Sequence, residues 1–155
     1  MKRNTTANTL AIAAIAALTL AVAPAAKADN KGCSNATLTG TFAHTGTGFV
    51  TAPPSMAGPL AGAGTDTFDG KGGITGAATL NINGNPIPLM TETGTYKVNP
   101  DCTGSLTFAF SGGGSTTVFF VISDSGNEIQ GICTDQGSVV SHTFRRQYPV
   151  GDWRQ

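Results

Sequence analysis

Charge is scarce in this chain. Asp, Glu, Lys and Arg make up 12% of its 155 residues, with nine acidic groups against nine basic ones. Nothing supplies the basic surplus that draws a protein to nucleic acid or to an anionic membrane. Histidine is limited to two residues and cysteine to three, the latter without a C-x-x-C pair, which excludes a sequence-encoded zinc knuckle or dithiol redox motif. A G-x-S-x-G nucleophile elbow is missing. Gly112-Gly113-Gly114 is followed by neither a Lys nor a helix start, so it reads as a turn and not as a phosphate loop. Asp66 and Asp69 flank Phe68 ahead of Gly70, but two carboxylates are too few for calcium and suit the capping of a turn. No cofactor, no metal site and no catalytic motif is encoded, and oligomeric state leaves no mark.

What is present begins with a leader. Lys2 and Arg3 precede an apolar run over residues 10–26, and Ala26-Lys27-Ala28 fits an A-x-A cleavage pattern. Residues 1–28 are read as a secretory signal peptide cut after Ala28, which predicts a periplasmic or secreted protein without stable membrane insertion. The remaining chain carries six basic and nine acidic groups, a net of −3, and holds all 21 glycines together with many Thr, Ser and Asn residues. That is the composition of short strands and tight turns, with little left for helices. Asn35-Ala36-Thr37 matches a glycosylation sequon, which matters only in a eukaryotic secretory pathway.

Apolar and β-branched runs mark eight strands at about 36–46, 61–69, 73–83, 87–98, 104–111, 115–123, 127–134 and 138–147. Connections such as Asp69-Gly70-Lys71-Gly72-Gly73 and Asn83-Gly84-Asn85-Pro86 are short and rich in turn residues. Successive strands must then be antiparallel neighbours. A meander of eight leaves two edges unless the last strand pairs with the first. The expected fold is an all-β, eight-stranded antiparallel up-and-down barrel over residues 29–147, with a two-sheet sandwich as the rival and a C-terminal tail over 148–155. Residues 46–60, with Pro53-Pro54 and Pro59, are expected to form a flap over one mouth.

Export makes a disulfide plausible, and strand polarity selects its partners. If strand one runs up, Cys33 lies at the bottom, as does Cys102 in the turn after the descending fourth strand, whereas Cys133 ends an ascending strand near the top. The expected bridge is Cys33–Cys102, with Cys133 left as a small buried thiol.

Leu38-Thr39-Gly40-Thr41-Phe42 resembles the L-x-G-x-W that opens lipocalin and avidin-type (calycin) barrels, with Phe42 in place of Trp. The lipocalin resemblance implies that an arginine from the last strand, Arg145 or Arg146, clamps Phe42 at the closed end. The meander also looks like the allene oxide cyclase and dirigent barrels. A wider resemblance, to small bacterial secreted proteins of no known activity, rests on C-S-x-x-x-L-x-G-x-[FY] at Cys33 to Phe42, F-D-G-x-G at Phe68 to Gly72, G-x-Y-x-V-x-x-D-C-T-G at Gly94 to Gly104, and the final R-R-Q at Arg145 to Gln147.

Alternation maps an interior. With Phe42 inward, so are Leu38, Gly40 and His44, then Ile74, Gly76, Ala78, Leu80 and Ile82, then Met90, Glu92, Gly94, Tyr96 and Val98, and then Leu106, Phe108 and Phe110. Strand six is apolar on both faces and stays undecided. Inward Gly and Ala leave room for a small ligand. The leading expectation is non-catalytic binding of a small apolar or amphipathic molecule by Phe42, His44, Met90, Glu92, Phe108, Phe110 and His142. One alternative is an allene oxide cyclase-like cyclase or isomerase using Glu92 with His44 or His142, where desolvation separates acid from base. Another is a filled barrel acting through its outer surface.

Overall fold

The computed structural model describes residues 32–148. The expected leader, its cleavage site and residues 149–155 of the expected tail lie outside the described residues. The strands are β1 (Gly40–Val50), β2 (Gly58–Phe68), β3 (Gly73–Ile82), β4 (Asn85–Val98), β5 (Thr103–Phe110), β6 (Ser115–Ser123), β7 (Glu128–Cys133) and β8 (Ser138–Arg146). Each pairs antiparallel with the next, and β8 returns to β1 from Phe42↔Arg146 to Val50↔Ser138. The protein is therefore a closed eight-stranded up-and-down barrel and not a sandwich. Closure pairs the edge backbone that an open meander would expose.

The two ends of β1 depart from expectation. Residues Asn35–Leu38 form a 3-10 turn and not the start of a strand. Tertiary bonds to Asn35 explain the change: Tyr96 Oη donates to its carbonyl at 3.0 Å, the Val98 N–H donates to its Oδ1 at 2.8 Å, and its Nδ2 donates to the Lys71 carbonyl at 3.2 Å. The sequon asparagine is thus engaged through both side-chain polar atoms. The turn plugs the bottom of the barrel and buries Leu38 completely. At its other end β1 runs through to Val50 and β2 starts at Gly58, so the flap expected over 46–60 shrinks to residues 51–57, around the Pro54–Met56 3-10 turn. The Gly-rich stretch reads as loop yet pairs as strand because close approach requires glycine: a Cβ on Gly48 would lie 2.0 Å from the Val139 carbonyl oxygen.

Even-numbered residues point inward along most of the barrel. β6 follows them, with Val118, Phe120 and Ile122 buried and Phe119 and Val121 outside. A bulge shifts the register between Ala78/Leu80 and Met90/Ile87, so that Ile87 and Met90 both face in, three positions apart.

The lower half of the barrel is solid. Phe68 meets Phe42 and Tyr96 edge to face at 5.1 and 5.0 Å, and Leu106, Val118, Phe120, Ile129 and Phe144 fill the space around them. Cys33 and Cys102 are joined at this end, 69 positions apart with Cα atoms 4.9 Å from each other. The disulfide fits an extracellular or periplasmic location. Among the described residues no helix is long and apolar enough to cross a membrane.

The clamp is Arg146, not Arg145. Its guanidinium lies 4.5 Å from the centre of the Phe42 ring. It donates to the carbonyls of Thr37 (3.2 Å), Gly126 (2.9 Å) and Thr39, and to Asn127 Oδ1 (3.1 Å). Gly40 sits beneath it at φ +122°, where a Cβ would strike Nη1 at 2.7 Å. Arg145 points out and pairs with Glu128 at 2.9 Å.

Candidate functional site

Above this core the barrel is hollow. A cavity of about 650 Å³ opens at the upper end, where residues 51–57, 112–115 and 135–138 form the mouth. Leu60, Ala78, Leu80, Ile82, Ile87 and Val140 make apolar walls, and Met90, Phe108 and Phe110 complete them. His44, Glu92 and His142 form the floor. Of the residues expected to bind a ligand, six line this cavity. Phe42 does not: it lies one alternation step deeper, under Arg146 in the closed-end core.

Asp66 is not the turn-capping residue that the sequence pattern predicts. Its D-T-F-D-G context suggested a turn, and Asp69 does cap that turn, its Oδ1 accepting from the N–H groups of Lys71, Gly72 and Gly73 at 2.7–2.9 Å. Asp66, however, belongs to β2, faces inward opposite Phe42 and Gly76, and has no exposure at all. Counting back in twos from buried Phe68 would have placed it inside.

These residues make a compact polar layer. His44 Nδ1 is 3.2 Å from Asp66 Oδ2, and His44 Nε2 is 3.0 Å from His142 Nδ1. The His44 ring stacks on Phe144 at 4.2 Å, which fixes its plane. Two interior glycines accommodate the layer and do not open it. A Cβ on Gly76 would lie 2.1 Å from Asp66 Oδ1, and one on Gly46 would lie 3.1 Å from His142 Nδ1.

Glu92 is 2% exposed, and burial first, then the neighbouring Asp66 carboxylate, push the pKa of its carboxyl up to about 8. Burial, reinforced by His44, pulls His142 down to about 4. His44 Nδ1, both Asp66 carboxylate oxygens and Glu92 Oε1 are buried without a well-aligned hydrogen-bond partner. At the mouth, Cys133 is buried but in polar company, its Sγ 3.2 Å from Thr116 Oγ1 and 3.4 Å from Asp135 Oδ2. Chemically, the site combines a long apolar wall with one end that can exchange protons or hold charge.

No protein-family model matches the chain, and neither does any curated protein sequence. Solved structures of similar shape are designed proteins. A redesigned β-barrel, b11L5F_LGL, has a TM-score of 0.53 at 17% identity, covering 74% of this chain and 95% of its own. A de novo designed fluorescence-activating β-barrel has a TM-score of 0.50 at 14% identity, covering 70% of this chain and 93% of its own. The redesigned β-barrel mFAP1, solved bound to DFHBI, has a TM-score of 0.50 at 18% identity, covering 72% and 97%. At these identities the likeness is one of fold, the closed eight-stranded antiparallel barrel.

Proposed function

We propose that this is an exported binding protein that holds a small amphipathic molecule inside its barrel, without transforming it. The observation that carries the reading is the half-hollow interior: a cavity of about 650 Å³ with apolar walls above a polar floor. That volume lies within the range of small-molecule sites, whereas a barrel filled throughout would have no such space. The ligand's apolar body would lie against Phe108, Phe110 and Met90, and its polar end would reach His44, Glu92 and His142. The leader read in the sequence and the disulfide support export. That mFAP1 is a barrel of this fold with a bound dye supports the capacity to hold a small molecule.

A second reading has its own observation. Glu92, Asp66 and two histidines meet at the bottom of an apolar-walled cavity, a constellation suited to proton transfer in a cyclase or isomerase. The test is native mass spectrometry of the oxidised protein from its own host, beside Leu80→Trp, which fills the cavity, and Leu89→Trp at an outward position 70% exposed. A bound molecule retained by wild type and Leu89→Trp but absent from Leu80→Trp is the expected outcome. Equal retention by all three, or none by wild type, overturns the binding reading. Conversion of the released molecule on incubation with fresh protein would favour the enzyme.

A further inference from the structure

The polar floor is unusual in what it leaves unpaired. Two carboxylates and an imidazole nitrogen, on β1, β2 and β4, present ligand atoms that all lie within 4.8 Å of one another, and all three residues are buried. Four of their atoms make no aligned hydrogen bond: His44 Nδ1 and Asp66 Oδ2 face each other at 3.2 Å, while Asp66 Oδ1 and Glu92 Oε1 stand without a donor where an orphaned charge is costly. Burial this complete, with this little satisfaction, calls for a partner of opposite charge.

We infer that His44 Nδ1, Asp66 and Glu92 form a binding site for one divalent transition-metal ion, with an open coordination position facing the cavity. The separation of His44 Nδ1 and Asp66 Oδ2, 3.2 Å, is close to the roughly 3.3 Å that bonds of about 2.0–2.1 Å impose on neighbouring ligands of a tetrahedral ion. The charges balance: two carboxylates and a neutral imidazole offset a dication, leaving no net charge in the apolar interior. The nitrogen donor favours zinc, cobalt or iron over magnesium and calcium.

His142 completes the arrangement without touching the ion. Its Nδ1 lies 3.0 Å from His44 Nε2 and can accept that N–H, which fixes the tautomer whose bare Nδ1 faces Asp66. Such an outer partner is what a metal-bound histidine ordinarily has. A plain structural pair needs no second carboxylate beside it. His44 and Glu92 line the cavity and Asp66 lies beneath, so the vacant side of the ion points to where a ligand's polar end would be. This last step rests on the binding reading above, and it specifies a ligand ending in an oxygen donor such as a carboxylate, carbonyl or hydroxyl.

The test uses the mature, disulfide-intact protein after chelation and desalting. Zn(II) is titrated calorimetrically, and Co(II) is followed by its visible ligand-field spectrum. About one ion per chain and a tetrahedral or five-coordinate Co(II) spectrum are expected. Asp66→Asn and Glu92→Gln should each weaken binding at least 100-fold while keeping the wild-type circular dichroism and melting without metal at least as high as wild type. His142→Gln, which leaves the ligands in place, should weaken binding about 10–100-fold. No binding by wild type, or binding undiminished in Asp66→Asn/Glu92→Gln, overturns the site. Native mass spectra with and without Zn(II) separate the two claims: metal binding without a captured molecule upholds the site and removes the carrier, and capture indifferent to metal upholds the carrier and removes the step in which its ligand reaches the ion.

Discussion

Glu92 gives the barrel a pH dependence that a single substitution should erase. With metal ions chelated, the pKa of its carboxyl is raised from the ordinary 4.5 to about 8, and the pKa of the His142 imidazole is lowered from 6.5 to about 4. The groups facing Glu92 are Asp66 on β2 and, beyond it, His44 on β1 with its partner His142 on β8. A raised carboxyl means that the folded chain keeps a proton the unfolded chain releases, so Glu92 contributes stability that is full below pH 4.5 and is lost as pH climbs to about 8. His142 acts in the opposite direction: the fold holds it neutral, and its contribution is present above 6.5 and lost as pH falls through about 4.

Each slope is about 1.4 kcal/mol per pH unit per proton, so they cancel between roughly 4.5 and 6.5. From there to pH 8 only Glu92 acts, and wild type should lose about 2 kcal/mol, seen as a fall in Tm of roughly 5–12 °C for a domain of this size. Glu92→Gln keeps the shape and carries no charge. It should stay flat over that interval and be the more stable protein at pH 8, while below pH 6.5 it should weaken down to about pH 4, with no Glu92 slope left to cancel that of His142. Urea melts at half-unit intervals decide the matter. A wild type that is flat from 6.5 to 8, or a Glu92→Gln variant that declines as steeply, refutes the reasoning.

Two further expectations concern how the barrel holds its charged layer and its closed end. Gly76→Ala would place a methyl 2.1 Å from Asp66 Oδ1 and 2.5 Å from the Thr65 carbonyl oxygen, and should cost about 1–3 kcal/mol in a urea melt. Arg146→Lys keeps the charge but loses the fork that reaches four acceptors, and should cost about 2–4 kcal/mol. Arg145→Lys, with its mostly exposed pairing to Glu128, should change stability by less than about 0.5 kcal/mol in the same assay.

The fold was largely legible because alternation and turn residues are local signals. The closure of β8 onto β1 followed from the cost of free edges, and the Cys33–Cys102 pairing followed from strand polarity. Boundaries failed where tertiary bonds override local preference, as at Asn35, or where glycine serves close strand approach, as at Gly48. The floor was half legible. His44, Glu92 and His142 announce themselves as rare polar residues on apolar faces, but Asp66 was concealed by a neighbouring motif that is a turn. The meaning of one interior glycine was also hidden. Gly76 reads in the sequence as room for a ligand, and only the three-dimensional register reveals that Asp66 occupies that room.

The polar floor straddles the seam at which the barrel closes. His44 and His142 are 98 positions apart, and Arg146 reaches the Thr37 carbonyl across 109. No hairpin can form this seam in isolation, since it must wait for every intervening strand, and such non-local closure is the slow part of folding a β protein. On an open meander His44, Asp66 and Glu92 still share one run of paired strands, but His142 is missing from beside them and the cavity has no enclosing wall. A molecule that needs the enclosed cavity or the His44–His142 pair would favour the closed form, and by mass action it would hold the seam shut. Occupancy of the enclosed cavity and closure of the seam would then be coupled, any molecule held there acting as a latch on the fold around it.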